Sequence, residues 1–228
     1  MIRRRVIFLL LVSLTLVVNA QNKQFKPEWN IGIGFGPTFS SMSFETSTYV
    51  NTLRTKNKQQ FSGGIALRYL SEKNLGLIAE LNYSQQGWAQ DFKETPQYEH
   101  SHQLNYLELP ILTHIYFGNK VRFIINLGPK LSFLLSDSEK MSQALEDYLA
   151  SGGFPQYQPS YQYYHMAQRK IDYGLIGGIG LEFRTGIGNF SLEGRYTFGL
   201  GDIYNNTKSD YFTRWANRVI SAKLTYYV

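Results

Sequence analysis

The chain has four histidines and no cysteine, so any metal or nucleophilic chemistry must be assembled from imidazole, hydroxyl and carboxylate groups. His100 and His102 form an H-x-H pair, which puts two imidazoles on one side of an extended chain, where a metal ion could meet both. No third ligand stands near them in sequence, so a solvated loop is the expected setting and no metal is assigned. His114 falls in a strand-like run, where it would act as a base beside Glu108 or Glu80, or else fill a polar interior as a hydrogen-bonded ring. The second role is the expected one. His165, Asp172 and one of Ser136 or Ser138 include the members of a hydrolase triad, but nothing in their spacing orders them. Asn205-Asn206-Thr207 matches a glycosylation sequon, and a chance match is expected. No catalytic, cofactor-binding or metal-binding residue is therefore assigned, and the chain is not expected to be an enzyme.

The remaining polar candidates lie at alternate positions of apolar runs. In successive segments Trp29, Ile31, Ile33 and Phe35 alternate with Asn30, Gly32 and Gly34, and Leu107, Leu109 and Ile111 alternate with Glu108 and Pro110. Further runs end at Tyr69, Tyr83, Phe133, Phe183, Leu200 and Val228. Such period-2 alternation marks strands with one apolar and one polar face. The polar faces carry mainly Gly, Ser, Thr and Asn with isolated charges of both signs. These are Arg68, Glu80, Glu108, Arg122, Lys130, Asp172, Glu182, Arg184, Glu193, Arg195 and Lys223. Nearly balanced charges on small-residue faces suit the narrow interior of a barrel, where each buried charge needs a partner. The apolar faces are rich in Leu, Ile, Val and Phe, with Trp29, Tyr69, Tyr83, Trp88, Phe117, Tyr173 and Tyr226 towards segment ends, as interfacial girdles require.

The connections alternate in length. About 18 residues join the first two strands, followed by a tight turn at Ser71-Glu72-Lys73. Residues 89–104 are long, Gly118-Asn119 tight, 136–169 longest, Thr185 to Gly188 tight, and 202–216 long again. The pattern predicts an all-β fold: an eight-stranded antiparallel up-and-down transmembrane β-barrel with short periplasmic turns, long extracellular loops and both termini in the periplasm. Closure leaves no unpaired strand edge in lipid.

Composition agrees with an exported membrane barrel. Arg3, Arg4 and Arg5, the apolar run Val6 to Val18 and the small residues before Gln21 have the layout of a signal peptide over residues 1–20. Residues 21–228 then form one barrel domain. The net charge of +6 includes those three arginines, so the exported portion carries +3, too little and too dispersed for nucleic acid. Aromatic residues make up 15% and there are 20 glycines, yet mean hydropathy is negative, because only alternate residues of such a barrel meet lipid.

Loop 136–169 is the main candidate for contact with other molecules. Ser136-Asp137-Ser138-Glu139 has capping-box spacing, and Met141, Leu145, Tyr148 and Leu149 follow at helical intervals, predicting a short amphipathic helix stopped by Gly152-Gly153. Phe154, Tyr157, Tyr161, Tyr163 and Tyr164 then offer large contact area for a protein, glycan or lipid headgroup. Alternatively, helix and aromatics cap the barrel mouth and pack on each other.

Tyr106-Leu107-Glu108-Leu109-Pro110, Asn126-Leu127-Gly128-Pro129, Asp172-Tyr173-Gly174 leading to Gly178-Ile179-Gly180-Leu181-Glu182-Phe183, and Glu193-Gly194-Arg195-Tyr196 with Gly199-Leu200 together resemble the PorT-like outer-membrane β-barrel family. The resemblance covers nearly the whole exported chain. It implies an eight-stranded barrel in the outer membrane of a Gram-negative bacterium, with an accessory role in protein secretion, and it brings no catalytic or ligand residues. The expected function is that of a non-enzymatic structural or interaction component without a cofactor. Its partners would be outer-membrane lipid and other envelope or secreted proteins met through the external loops. A small passive pore is the first alternative and a barrel-based lipid or peptide hydrolase the second.

Overall fold

The computed structural model describes residues 25–46, 53–153, 162–204 and 212–228. The predicted signal peptide, the sequon and loop residues Phe154, Tyr157 and Tyr161 lie outside them. Eight long strands and one two-residue strand follow in chain order: β1 (Glu28–Thr46), the short β2 (Thr55–Lys56), β3 (Lys58–Glu72), β4 (Leu75–Gln90), β5 (His100–Gly118), β6 (Val121–Met141), β7 (Ile171–Thr185), β8 (Gly188–Gly199) and β9 (Phe212–Tyr227). One helix, α1 (Gln143–Ala150), stands between β6 and β7. Each long strand pairs antiparallel with its sequence neighbours, and the β1–β9 ladder from Gly32↔Tyr227 to Thr46↔Phe212 closes the barrel. Short β2 pairs with the outer end of β4. No described helix is long and apolar enough to cross a membrane; the crossing is made by strands.

The alternation dictates which side faces lipid. Ile31, Ile33, Phe35, Phe61, Leu127, Ile179 and Leu192 are each more than half exposed, whereas their neighbours point into the lumen. In water such an apolar belt would be costly; in the bilayer it is what holds the barrel in place. Trp29 and Tyr69 pack ring to ring, 4.5 Å between centroids, at the end carrying the chain termini and the short turns. Two-residue turns join β3 to β4, β5 to β6 and β7 to β8. Gly118 and Gly188 adopt positive φ there, and a Cβ on Gly118 would lie 2.2 Å from the Val121 carbonyl oxygen.

At the opposite end β4, β5 and β6 run on beyond the belt. Outward residues change from Leu107 and Phe133 to Gln103, Ser101, Ser138 and Lys140, as expected where lipid gives way to water. This extension corrects three sequence expectations. His100 and His102 are in β5 and not in a loop. Ser136 to Glu139 belong to β6 and cap no helix, because the β5–β6 ladder continues to His100↔Met141. The β6–β7 connection is thus residues 142–170. Ser142 precedes α1, and its hydroxyl accepts the Glu99 N–H and donates to the Gln97 carbonyl, tying the helix to the β4–β5 connection.

Candidate functional site

The lumen is filled in tiers. Nearest the short turns, Glu182 receives Arg68 and, at 3.1 Å, Arg122; Arg68 also donates to Asn30 and lies over the Tyr227 ring. In the middle tier Arg195 forks onto both oxygens of Glu80, at 2.8 and 2.9 Å, and also donates to Glu193. Lys223 donates to Glu80 and Asn82. Higher still, Glu108 accepts from Lys130, Gln86 and Ser132. Asp172 accepts from Asn217, which also reaches the Tyr106 hydroxyl. A small polar void lined by Ser62, Asn82, Ser84, Glu108, Arg195 and Lys223 has room for ordered water. Arg184 departs from the expected lumen set: it is exposed at the turn end of β7 and pairs there with Glu28.

Above these tiers an aromatic cap covers the barrel. Met42, Leu53, Trp88, Leu104, Tyr106, Ile203, Tyr204 and Trp215 form a buried cluster, with Phe44 edge-on to both Trp88 and Trp215. His165 stacks on Trp215. Helix α1 contributes Leu145 to a neighbouring cluster with Phe92 and Tyr163. Tyr163, expected as an outward contact, is therefore buried, and burial raises its phenol to about 12. Tyr164 is 67% exposed and remains available as a contact.

Within this cap the H-x-H pair finds carboxylates. His100 and His102 are 2% and 0% exposed and point inward from β5. Their neighbours come from β6 through a bulge: Asn105 pairs with Ser136 but Tyr106 pairs with Leu134, so Leu135 is an extra residue. Below the bulge the even residues Lys130 and Ser132 face inward; above it the odd residues Asp137 and Glu139 do. Glu139 Oε1 lies 2.7 Å from His100 Nε2 and 3.5 Å from His102 Nε2. Asp137 Oδ1 lies 3.1 Å from His102 Nδ1, and Gln90 Oε1 3.1 Å from His100 Nδ1. Trp88 stacks on His102 at 5.2 Å and meets His100 edge-on.

The electrostatics follow from this packing. Burial lowers the pKa of His100, more than its hydrogen bond to Glu139 restores. Burial also acts against charge on His102, but the carboxylates of Asp137 and Glu139 beside it outweigh it and the pKa rises. Glu139 is likewise opposed by burial, yet the two imidazoles beside it and the Tyr164 N–H hold its carboxyl down to about 2.

Other sequence candidates separate. Ser136 faces outward and accepts from Asn105 at 2.8 Å, Asp172 is held by Asn217, and His165 stacks within the cap, so no triad assembles. His114 is buried in the lumen, 2.7 Å from Asn126 and stacked on Tyr116, as an interior hydrogen-bonded ring. Asp137 and Glu139 were not singled out as partners of the histidines. The signal for them is the run Phe133-Leu134-Leu135, after which the acidic residues fall on odd positions.

A closed barrel with an apolar outer belt, a filled polar lumen and strands projecting beyond the belt defines a small outer-membrane β-barrel protein. The chain matches the family model for the outer membrane protein beta-barrel domain over residues 19–205 and belongs to that family. It resides in the outer membrane of a Gram-negative bacterium. Similar solved structures include Ail, the attachment invasion locus protein of Yersinia pestis, at 14% identity and TM-score 0.42, covering 88% of this chain and 99% of that one. OprG of Pseudomonas aeruginosa is 11% identical with TM-score 0.48, covering 88% and 95%. Outer membrane protein W of E. coli is 13% identical with TM-score 0.42, covering 90% and 100%. No curated protein sequence matches the chain.

Proposed function

We propose that this barrel is a non-enzymatic interaction component of the outer membrane, an accessory to protein secretion of the PorT-like kind, which meets envelope or secreted proteins through its external end. The observation that supports the reading is the filled lumen. Paired charges occupy its tiers and an aromatic cap lies over them, so the groups free to meet other molecules are on the projecting strands and loops. Exposed Tyr164 and the outward polar side of β5 and β6 belong to that surface. Residues 1–20 act as the export signal in the same reading, and N-terminal sequencing of the membrane protein is expected to begin at Gln21.

Affinity capture with intact protein and with a chain lacking residues 143–169 tests the proposal. The shortened chain is expected to keep heat-modifiable migration, showing a folded barrel, and to lose its co-purifying envelope proteins. Unaltered co-purification would reject the external connection as the contact surface. Purified protein in planar bilayers is expected to show no stable single-channel current, and steady conductance would favour a pore instead.

A further inference from the structure

We propose that His100, His102 and Glu139 form a binding site for a divalent transition-metal ion of the zinc class at the outer end of the barrel. One ligand atom from each of the three lies within 4.8 Å of the others. Around a tetrahedral ion with bonds of about 2.0–2.1 Å, ligand atoms sit roughly 3.3 Å apart. The observed Nε2 to Oε1 separations of 2.7 and 3.5 Å bracket that value, so small side-chain movements suffice.

The surroundings of the three groups carry the assignment further than their proximity. Each histidine has its Nδ1 facing an acceptor, Gln90 Oε1 for His100 and the Asp137 carboxylate for His102. A proton held on Nδ1 turns the Nε2 lone pair towards Glu139, which is how metal-binding imidazoles are oriented by the residues behind them. His102 Nε2 is fully buried and has no hydrogen-bond partner among the described residues, although it points at this cluster. An unpartnered nitrogen is a cost that coordination removes. Trp88 and Tyr163 wall the rings on two sides and fix their planes. Glu139 keeps a side-chain exposure of 10%, which leaves a route for an ion and for a water as fourth ligand. Two imidazoles favour a transition metal over Ca²⁺ or Mg²⁺, which take oxygen ligands.

The test uses the full barrel in detergent, stripped with chelator and titrated with Zn²⁺, with Co²⁺ as a spectroscopic probe. One ion per chain is expected to survive gel filtration, and Co²⁺ is expected to give the visible absorption of a four-coordinate site. His102→Gln and Glu139→Gln should abolish both signals while heat-modifiable migration is kept. Asp137→Asn, which alters only the group behind His102, should weaken binding by about 10- to 100-fold. His114→Gln, deep in the lumen, should bind as the parent does. No retained ion in the parent protein overturns the proposal, and so does equal binding in the His102 and Glu139 variants. If those two variants lose heat-modifiable migration, Asp137→Asn decides: unchanged affinity rejects the site.

Discussion

At the scale of single residues, the lumen shows what a buried charge requires. Arg195 is shared by Glu80 and Glu193, and Glu80 is shared by Arg195 and Lys223, so removing Arg195 leaves Glu193 without its cation and removing Glu80 leaves Lys223 without its carboxylate. Arg195→Ala is expected to destabilise the barrel by about 3–5 kcal/mol, because it leaves the buried Glu193 carboxylate uncompensated. Replacing Glu108 and Lys130 together by Leu and Met should cost less than either single change, since the pair then vanishes with both its charges. Urea unfolding of the barrel in lipid vesicles, followed by tryptophan fluorescence, measures both. Equal losses for the single and double changes would show that packing around the pair, and not charge pairing, sets the cost. Apart from Arg184, the individual charges were legible in the sequence as inward-facing positions; their partners were not, since Arg195 and Glu80 lie 115 residues apart.

Among the elements, β6 carries the most consequence, because the extra residue at Leu135 exchanges the two faces of the strand above it. Were Leu135 paired in an unbroken ladder, Ser138 would stand opposite His102 and Lys140 opposite His100, and the acids would face outward. Deleting Leu135 is therefore expected to straighten β6 yet keep Asp137 and Glu139 beside His102 and His100, because Ser136 then follows Leu134 in the register it already has opposite Asn105. NMR of the ring nitrogens checks this: both imidazoles should keep the shifts that mark carboxylate partners, and loss of those shifts would mean that Leu135 itself is needed to hold the register above it. The eight long strands were readable from alternation, whereas the outer ends of β4, β5 and β6 were not. There the outward face turns from apolar to polar, so the contrast that announces a strand fades while the ladder itself continues.

For the whole molecule, the belt and the projecting end set different rules for the same substitution. Ile179, 60% exposed near the middle of β7, meets lipid, so Ile179→Arg should cost about 2–4 kcal/mol in vesicles. Gln103→Arg, on the outward side of β5 beyond the belt, should be close to neutral by the same unfolding measurement. A similar loss at both positions would place the membrane boundary further out than the change in side chains indicates. This division also explains a chain of negative mean hydropathy that lives in a membrane: the lumen and the projecting end hold its polar residues.

Alternation with period two, the charges on one face and the alternating loop lengths determined by themselves that this chain is an eight-stranded outer-membrane barrel with a polar interior. Those signals are local, since each strand displays its two faces within a few residues. Tertiary structure alone decided which charges pair across the lumen, that Tyr163 turns inward under α1, and that a bulge brings Glu139 to His100 and His102. These depend on the register between strands distant in sequence, and a single extra residue on one of them reverses which side chains face inward.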